Sequence, residues 1–73
     1  MNKTYDHVSI ELSDKGKLKE LNELLKCKGE TKIKVIIKDS SKNYLFELEK
    51  SRQFDFNLFS LIKNKEYVKK ISF

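Results

Sequence analysis

A chain of 73 residues holds one domain. Sixteen basic residues stand against eleven acidic ones, giving a net charge of +5, and 15 of the basic residues are lysine. Cys27 is the single cysteine, so no disulfide closes within the chain, and no apolar run approaches the ~18 residues that span a membrane.

A domain this short buries only ~60% of the surface its unfolded chain exposes, so a small stability margin is expected. A lone thiol on a basic chain reads as a reducing compartment. The segment from Met1 to Asp6 has no apolar stretch of the signal-peptide kind. These features give the expectation of a cytoplasmic, monomeric domain over residues 1–73, with 1–6 as a flexible lead-in. The lysine excess has two readings. It comes with many Ile and Asn and no Ala, Pro or Trp, the bias of an AT-rich genome shown on a solvated surface. Alternatively it marks a phosphate-binding patch. Arg52, the only arginine, is the one side chain with the planar fork that suits base edges and phosphates.

His7-Val8-Ser9-Ile10-Glu11-Leu12 alternates strictly and predicts a first strand, with Val8, Ile10 and Leu12 facing a core. Ser13-Asp14 then supplies a helix-start signal. The helix is expected to run to about Cys27, with Leu18, Leu21, Leu24 and Leu25 as its apolar stripe and Gly29 as a left-handed stop. On that reading Cys27 is a buried or half-buried structural thiol.

Thr31 to Lys38 and Asn43 to about Lys50 predict a hairpin, turning within Asp39-Ser40-Ser41-Lys42. Parity sets its register. If Ile37 pairs with Tyr44, then Val35 meets Phe46 and Ile33 meets Leu48 on the core face. Lys34 then meets Glu47, and Lys32 meets Glu49, on the other. A one-residue slip would bury the glutamates. The same register places Ile36 beside Leu45 among the charges. That apolar pair is either ordinary surface or a docking point for a partner.

Gln53 to Phe56 reads as a short extended stretch. Asp55 or Asn57 can cap a second helix with Leu58, Phe59, Leu61 and Ile62 as its apolar face, ending near Lys63-Asn64. Glu66 to Phe73 predicts a last strand with Tyr67, Ile71 and Phe73 on one face. Lys69 breaks that alternation, which suggests a bulge or an edge position. The expected fold is therefore α+β, with a mixed sheet, two helices packed on one face, and the order β-α-β-β-(short β)-α-β.

Few groups here can converge for chemistry. His7 is the only histidine and falls on a predicted exposed face, so a nucleophile pair has little to work with. One Cys and one His twenty positions apart make no zinc site, and Gly16 and Gly29 build no phosphate loop. Glu47 and Glu49 each have a cross-strand lysine and read as ion-pair partners. No catalytic residue, cofactor or metal is expected.

Five stretches carry a resemblance. They are Leu18-Lys19-Glu20-Leu21-Asn22-Glu23-Leu24-Leu25, then Lys28-Gly29-Glu30-Thr31-Lys32-Ile33-Lys34-Val35, then Tyr44-Leu45-Phe46-Glu47-Leu48, and Phe54 to Ile62 closing with Tyr67-Val68. In this order and spacing, Gly16 to Phe73 resembles the extreme C-terminal domain of the bacterial replicative DNA polymerase III α subunit. The family's turn before the strand often reads Pro-Gly, and here Lys28 stands in the proline's place.

The resemblance implies a non-catalytic protein-interaction role in DNA replication. In that family this region binds the τ subunit of the clamp loader and ties the polymerase to the replisome. The parent would be a DNA-directed DNA polymerase, a nucleotidyltransferase. Its carboxylates, clamp-binding peptide and OB-fold lie in other parts of the chain. These residues would then be an excised domain or the natural end of a larger gene product. No τ-binding motif carries over residue by residue, so Ile36, Leu45 and Phe73 are nominated as partner contacts on physical grounds alone. The alternative is a free-standing basic nucleic-acid-binding module, with Lys63, Lys65, Lys69 and Lys70 as its contacts. A small enzyme or activating subunit would need a clustered ionisable site that the sequence does not supply.

Overall fold

The computed structural model describes residues 5–38 and 40–73. Met1 to Thr4 of the expected lead-in, and Asp39 of the expected hairpin turn, lie outside the described residues. The elements are β1 (His7–Leu12), a 3-10 turn (Lys15–Lys17), α1 (Leu18–Leu24), β2 (Lys28–Lys38), β3 (Asn43–Glu47), α2 (Phe56–Lys63) and β4 (Val68–Ser72). They form one mixed sheet in the order β3-β2-β1-β4. β1 and β2 run parallel, joined by the α1 crossover, and both edge strands pair antiparallel to their neighbours. This is the expected α+β architecture, with its element order intact.

Alternation on the two central strands builds the core. Val8, Ile10 and Leu12 of β1 and Thr31, Ile33, Val35 and Ile37 of β2 are all buried. Leu21 and Leu25, Phe54, Ile62 of α2 and Tyr67 close over them on one side of the sheet. The buried Thr31 hydroxyl donates to the Tyr5 carbonyl oxygen, which leaves no lone hydroxyl in the core at that point. The hairpin register is the one parity demands, with Ile37 on Tyr44, Val35 on Phe46, Ile36 on Leu45 and Lys34 on Glu47. β3 stops at Glu47, so Leu48 bonds back to Ile33 while Glu49 leaves the ladder. No residue of β3 is fully buried; Phe46 lies on the core side yet remains 39% exposed.

Several boundaries differ from expectation. Asp14 does cap, accepting from the Gly16 amide at 2.9 Å, but it opens a 3-10 turn and α1 holds only seven residues. Cys27 therefore falls past the helix and is exposed instead of lining the leucine stripe. Gly29 is no left-handed stop, because it lies inside β2 without a positive φ. A Cβ on Gly29 would instead run into the backbone Cα and N of Gln53. No strand forms over the expected stretch Gln53 to Phe56; the bridging residue is Arg52, one position before it, which pairs with Lys28 and Thr31.

Asp55 caps α2, its Oδ1 accepting from the Leu58 amide at 2.9 Å. Leu61 departs from the expected apolar face and is 45% exposed. It sits about 100° around the helix from the buried Ile62, on the opposite side from Phe59. β4 has both features that Lys69 suggested. It is an edge strand, and its register shifts so that Val68 meets Leu12 and Lys70 meets Glu11, leaving Lys69 as the extra residue.

Candidate interaction surfaces

The sequence-nominated residues fall on two separate surfaces at opposite edges of the sheet. The first is the helix-free face around β2 and β3. Ile36 pairs there with Leu45, which is 61% exposed. Lys34 and Glu47 lie 3.8 Å apart, and Lys38 and Glu11 lie 3.5 Å apart. The first pair is largely solvated and contributes little to stability, whereas the Glu11 side chain of the second is only 22% exposed; the two pairs frame the apolar side chains. Toward the start of β1 this region dips into a groove of about 440 Å³, lined in part by His7, Ser9, Lys32, Lys34, Glu47 and Glu49. His7 is exposed, as expected. The expected pair of Lys32 with Glu49 is not among the ion pairs of the described residues, because the strand ends two positions too early.

The second surface lies where α2 meets β4. Phe73 is there, far from Ile36 and Leu45, because β3 and β4 are opposite edges. Its ring stacks on Tyr5 with centroids 4.6 Å apart and lies 5.5 Å from Phe59. Tyr5 meets Phe54 edge-on at 5.9 Å, and Phe56 lies 6.1 Å from Phe59. The five rings make one contiguous cluster, at distances typical of favourable aromatic pairs. Its outer members stay open to solvent: Phe56 is 69% exposed and Phe73 is 62% exposed.

Three of the four nominated lysines gather beside those rings. Lys63, Lys69 and Lys70 line a hollow of about 200 Å³ together with Phe59, Val68 and Ile71. The Lys63 ammonium stands 5.5 Å from the Phe59 ring centroid. Lys65 does not line the hollow. It is half-buried in the turn after α2, its amide donating to the Ile62 carbonyl at 3.1 Å. The sequence reading missed the ring cluster, whose members come from residues 5, 54, 56, 59 and 73. Sequence periodicity places only Phe59 and Phe73 on apolar faces, and nothing local joins them.

One buried ionisable group stands apart from both surfaces. Burial pushes the Tyr67 phenol up to about 12, and the Glu20 carboxylate adds to the rise. The Glu20 carboxylate lies near enough to favour the protonated phenol as an acceptor and by its charge, although no hydrogen bond to the Tyr67 hydroxyl is formed with full geometry among the described residues. No group of three or more His, Cys, Asp or Glu is placed to hold a metal ion among the described residues. No helix among them is long and apolar enough to cross a membrane.

Fold and surface together define a small α+β domain with one covered sheet face, one open face and two exposed apolar patches. No family model, curated protein or solved structure matches the chain.

Proposed function

We propose that this chain is a non-catalytic protein-interaction domain, the C-terminal domain of a bacterial replicative polymerase α subunit, working in the cytoplasm. On this reading it tethers the polymerase to the clamp-loader τ subunit. The observation that carries the interaction role is the Ile36–Leu45 pair, with Leu45 61% exposed on a sheet face that no helix covers. Apolar side chains held by strand pairing keep their position in the free protein, so a partner that buries them loses little to ordering. The adjoining β3 edge offers unpaired backbone groups for a partner to bond. The polymerase parentage draws on the sequence resemblance, and the element order and the predicted hairpin register are compatible with it.

The test is calorimetric titration of the domain with a C-terminal fragment of τ. Tight binding by the wild-type chain supports the parentage, and no binding removes it. Ile36→Asp with Leu45→Asp is expected to abolish binding while the circular dichroism spectrum stays folded. If the double variant binds as well as wild type, this face is not the docking surface.

A further inference from the structure

We propose that the α2–β4 edge is a binding site for single-stranded nucleic acid, with phosphates held by Lys63, Lys69 and Lys70 and bases stacked on Phe56 and Phe73. The inference does not rest on the polymerase reading, and it concerns the edge of the sheet opposite Ile36 and Leu45.

Two independent features coincide here. The first is positive charge outside any ion pair. Lys63, Lys69 and Lys70 are all exposed, and neither ion pair of the described residues, Lys34–Glu47 or Lys38–Glu11, includes them, although Lys63 stands over the Phe59 ring and Lys70 lies opposite Glu11. The bulge in β4 supplies Lys69 as an extra residue, which puts two adjacent lysines at the rim of one hollow. Three lysines line a 200 Å³ depression, with Lys70 reaching its rim from the strand position paired with Glu11, and their summed charge suits a chain of phosphates better than one carboxylate.

The second feature is exposed, buttressed aromatic area. Phe73 is backed by Tyr5 and Phe59, and Phe56 is backed by Phe59, so each ring is fixed yet keeps more than half its surface open. Such rings are the platforms on which unpaired bases stack, whereas the bases of a duplex are already stacked on one another. An acidic peptide would satisfy the lysines and leave the rings unused, so the combination favours a nucleic acid strand. With lysines and no arginine in the hollow, nothing reads base edges, and the site is expected to be indifferent to sequence.

The experiment is fluorescence anisotropy of labelled oligothymidylate and oligouridylate of about twenty nucleotides, enough to cover one small domain. The domain is titrated at several salt concentrations between about 50 and 200 mM. Saturable binding is expected at the low-salt end, with a log–log salt slope of about −2, as release from three phosphates of a single strand gives. Lys69→Glu with Lys70→Glu should remove the binding. Phe56→Ala, at a ring too exposed to matter for folding, should weaken it about fivefold or more, and Phe73→Ala should do likewise. Equal affinity for the two oligomers places the contact on phosphate and base faces, and a preference of tenfold or more for RNA would overturn that assignment. The proposal is also overturned if no binding occurs at about 100 μM protein in low salt. It fails equally if a duplex of the same length binds as tightly, if Phe56→Ala binds like wild type, or if a glutamate- and phenylalanine-rich peptide outcompetes the oligomers.

Discussion

The Arg52 guanidinium donates to the Leu25 carbonyl oxygen at 2.8 Å and to Asn22 Oδ1 at 3.2 Å, closing the C-terminal end of α1. Arg52 Nε also donates to the Lys50 carbonyl oxygen at 3.1 Å. The Gln53 amide donates to the Cys27 carbonyl at 2.8 Å and the Gly29 amide to that of Ser51 at 3.3 Å, so the whole return segment is tied to the end of α1 and the start of β2. A seven-residue helix has few internal bonds, so its terminal carbonyls depend on outside donors. The only fork-shaped cation of the chain is thus engaged by two backbone carbonyls and the Asn22 side chain.

Arg52→Ala should therefore lower unfolding stability by about 1–3 kcal/mol, the range for charge-assisted bonds whose loss leaves carbonyls unpaired. Arg52→Lys should recover only part of it, since an ammonium cannot reach three acceptors in the guanidinium's planar arrangement. Urea titration measures both. A loss of under about 0.5 kcal/mol for the alanine variant would show that the clamp is ornamental in solution.

The two glycines should respond in opposite ways to alanine. At Gly29 the new methyl meets main-chain atoms of Gln53 and Arg52, which cannot move without breaking the bonds just described. Gly29→Ala is expected to cost about 1–3 kcal/mol through overpacking. At Gly16 the nearest atom is Asp14 Oδ1 at 3.2 Å, the end of an exposed side chain that can give by a few tenths of an ångström while still accepting from the Gly16 amide. Gly16→Ala should stay within about 0.5 kcal/mol of wild type, because the methyl also narrows the unfolded ensemble. Paired thermal melts decide it, and equal shifts for the two variants would contradict the close approach at Gly29.

How far the sequence carries can be argued from these same residues. The β2–β3 register was legible because a one-place slip inverts every side chain, and Asp55 was legible because capping is a contact over three positions. The β4 bulge was legible because Lys69 stood where an apolar residue belonged. Gly29 was misread because the atoms that demand a glycine belong to residues 52 and 53, more than twenty positions away. Cys27 was misread with it, since both followed from drawing α1 too long. Lys63, Lys69 and Lys70 could be nominated as a charge cluster. The rings beside them could not, because Tyr5, Phe54 and Phe73 meet only after the sheet has closed.

Tyr67 gives a pH dependence of definite sign. Its phenol is raised from 10.0 to about 12 in the fold, so between those values the folded chain holds a proton that the unfolded chain has released. Stability from this group is complete below pH 10 and falls as pH rises toward 12, by about 1.4 kcal/mol for each unit of separation. Tyr67→Phe removes the titrating group and, with it, a buried hydroxyl that forms no full hydrogen bond among the described residues although Glu20 lies near it. The variant should be at least as stable as wild type at neutral pH. Its stability should also decline less steeply above pH 10, as read by urea titration across that range. Parallel decline in the two proteins would mean that the phenol reaches water in solution.

The last contrast separates what holds the fold from what the surface offers. Ile10 lies on a central strand, fully buried, with Val35 and Ile71 as its cross-strand neighbours. Truncating it leaves a cavity that packed neighbours on both sides cannot fill, and Ile10→Ala should cost about 2–5 kcal/mol. In a domain of this size that is a large part of the whole margin, so the variant should be mostly unfolded near body temperature. Leu45 differs from Ile10 in position more than in chemistry. It is 61% exposed at an edge strand, so Leu45→Ala should move the urea midpoint by no more than about 0.5 kcal/mol of stability. An apolar side chain that contributes so little to folding is free to be selected for a partner. Should Leu45→Ala prove as damaging as Ile10→Ala, Leu45 belongs to the core and the open sheet face loses its claim as a docking surface.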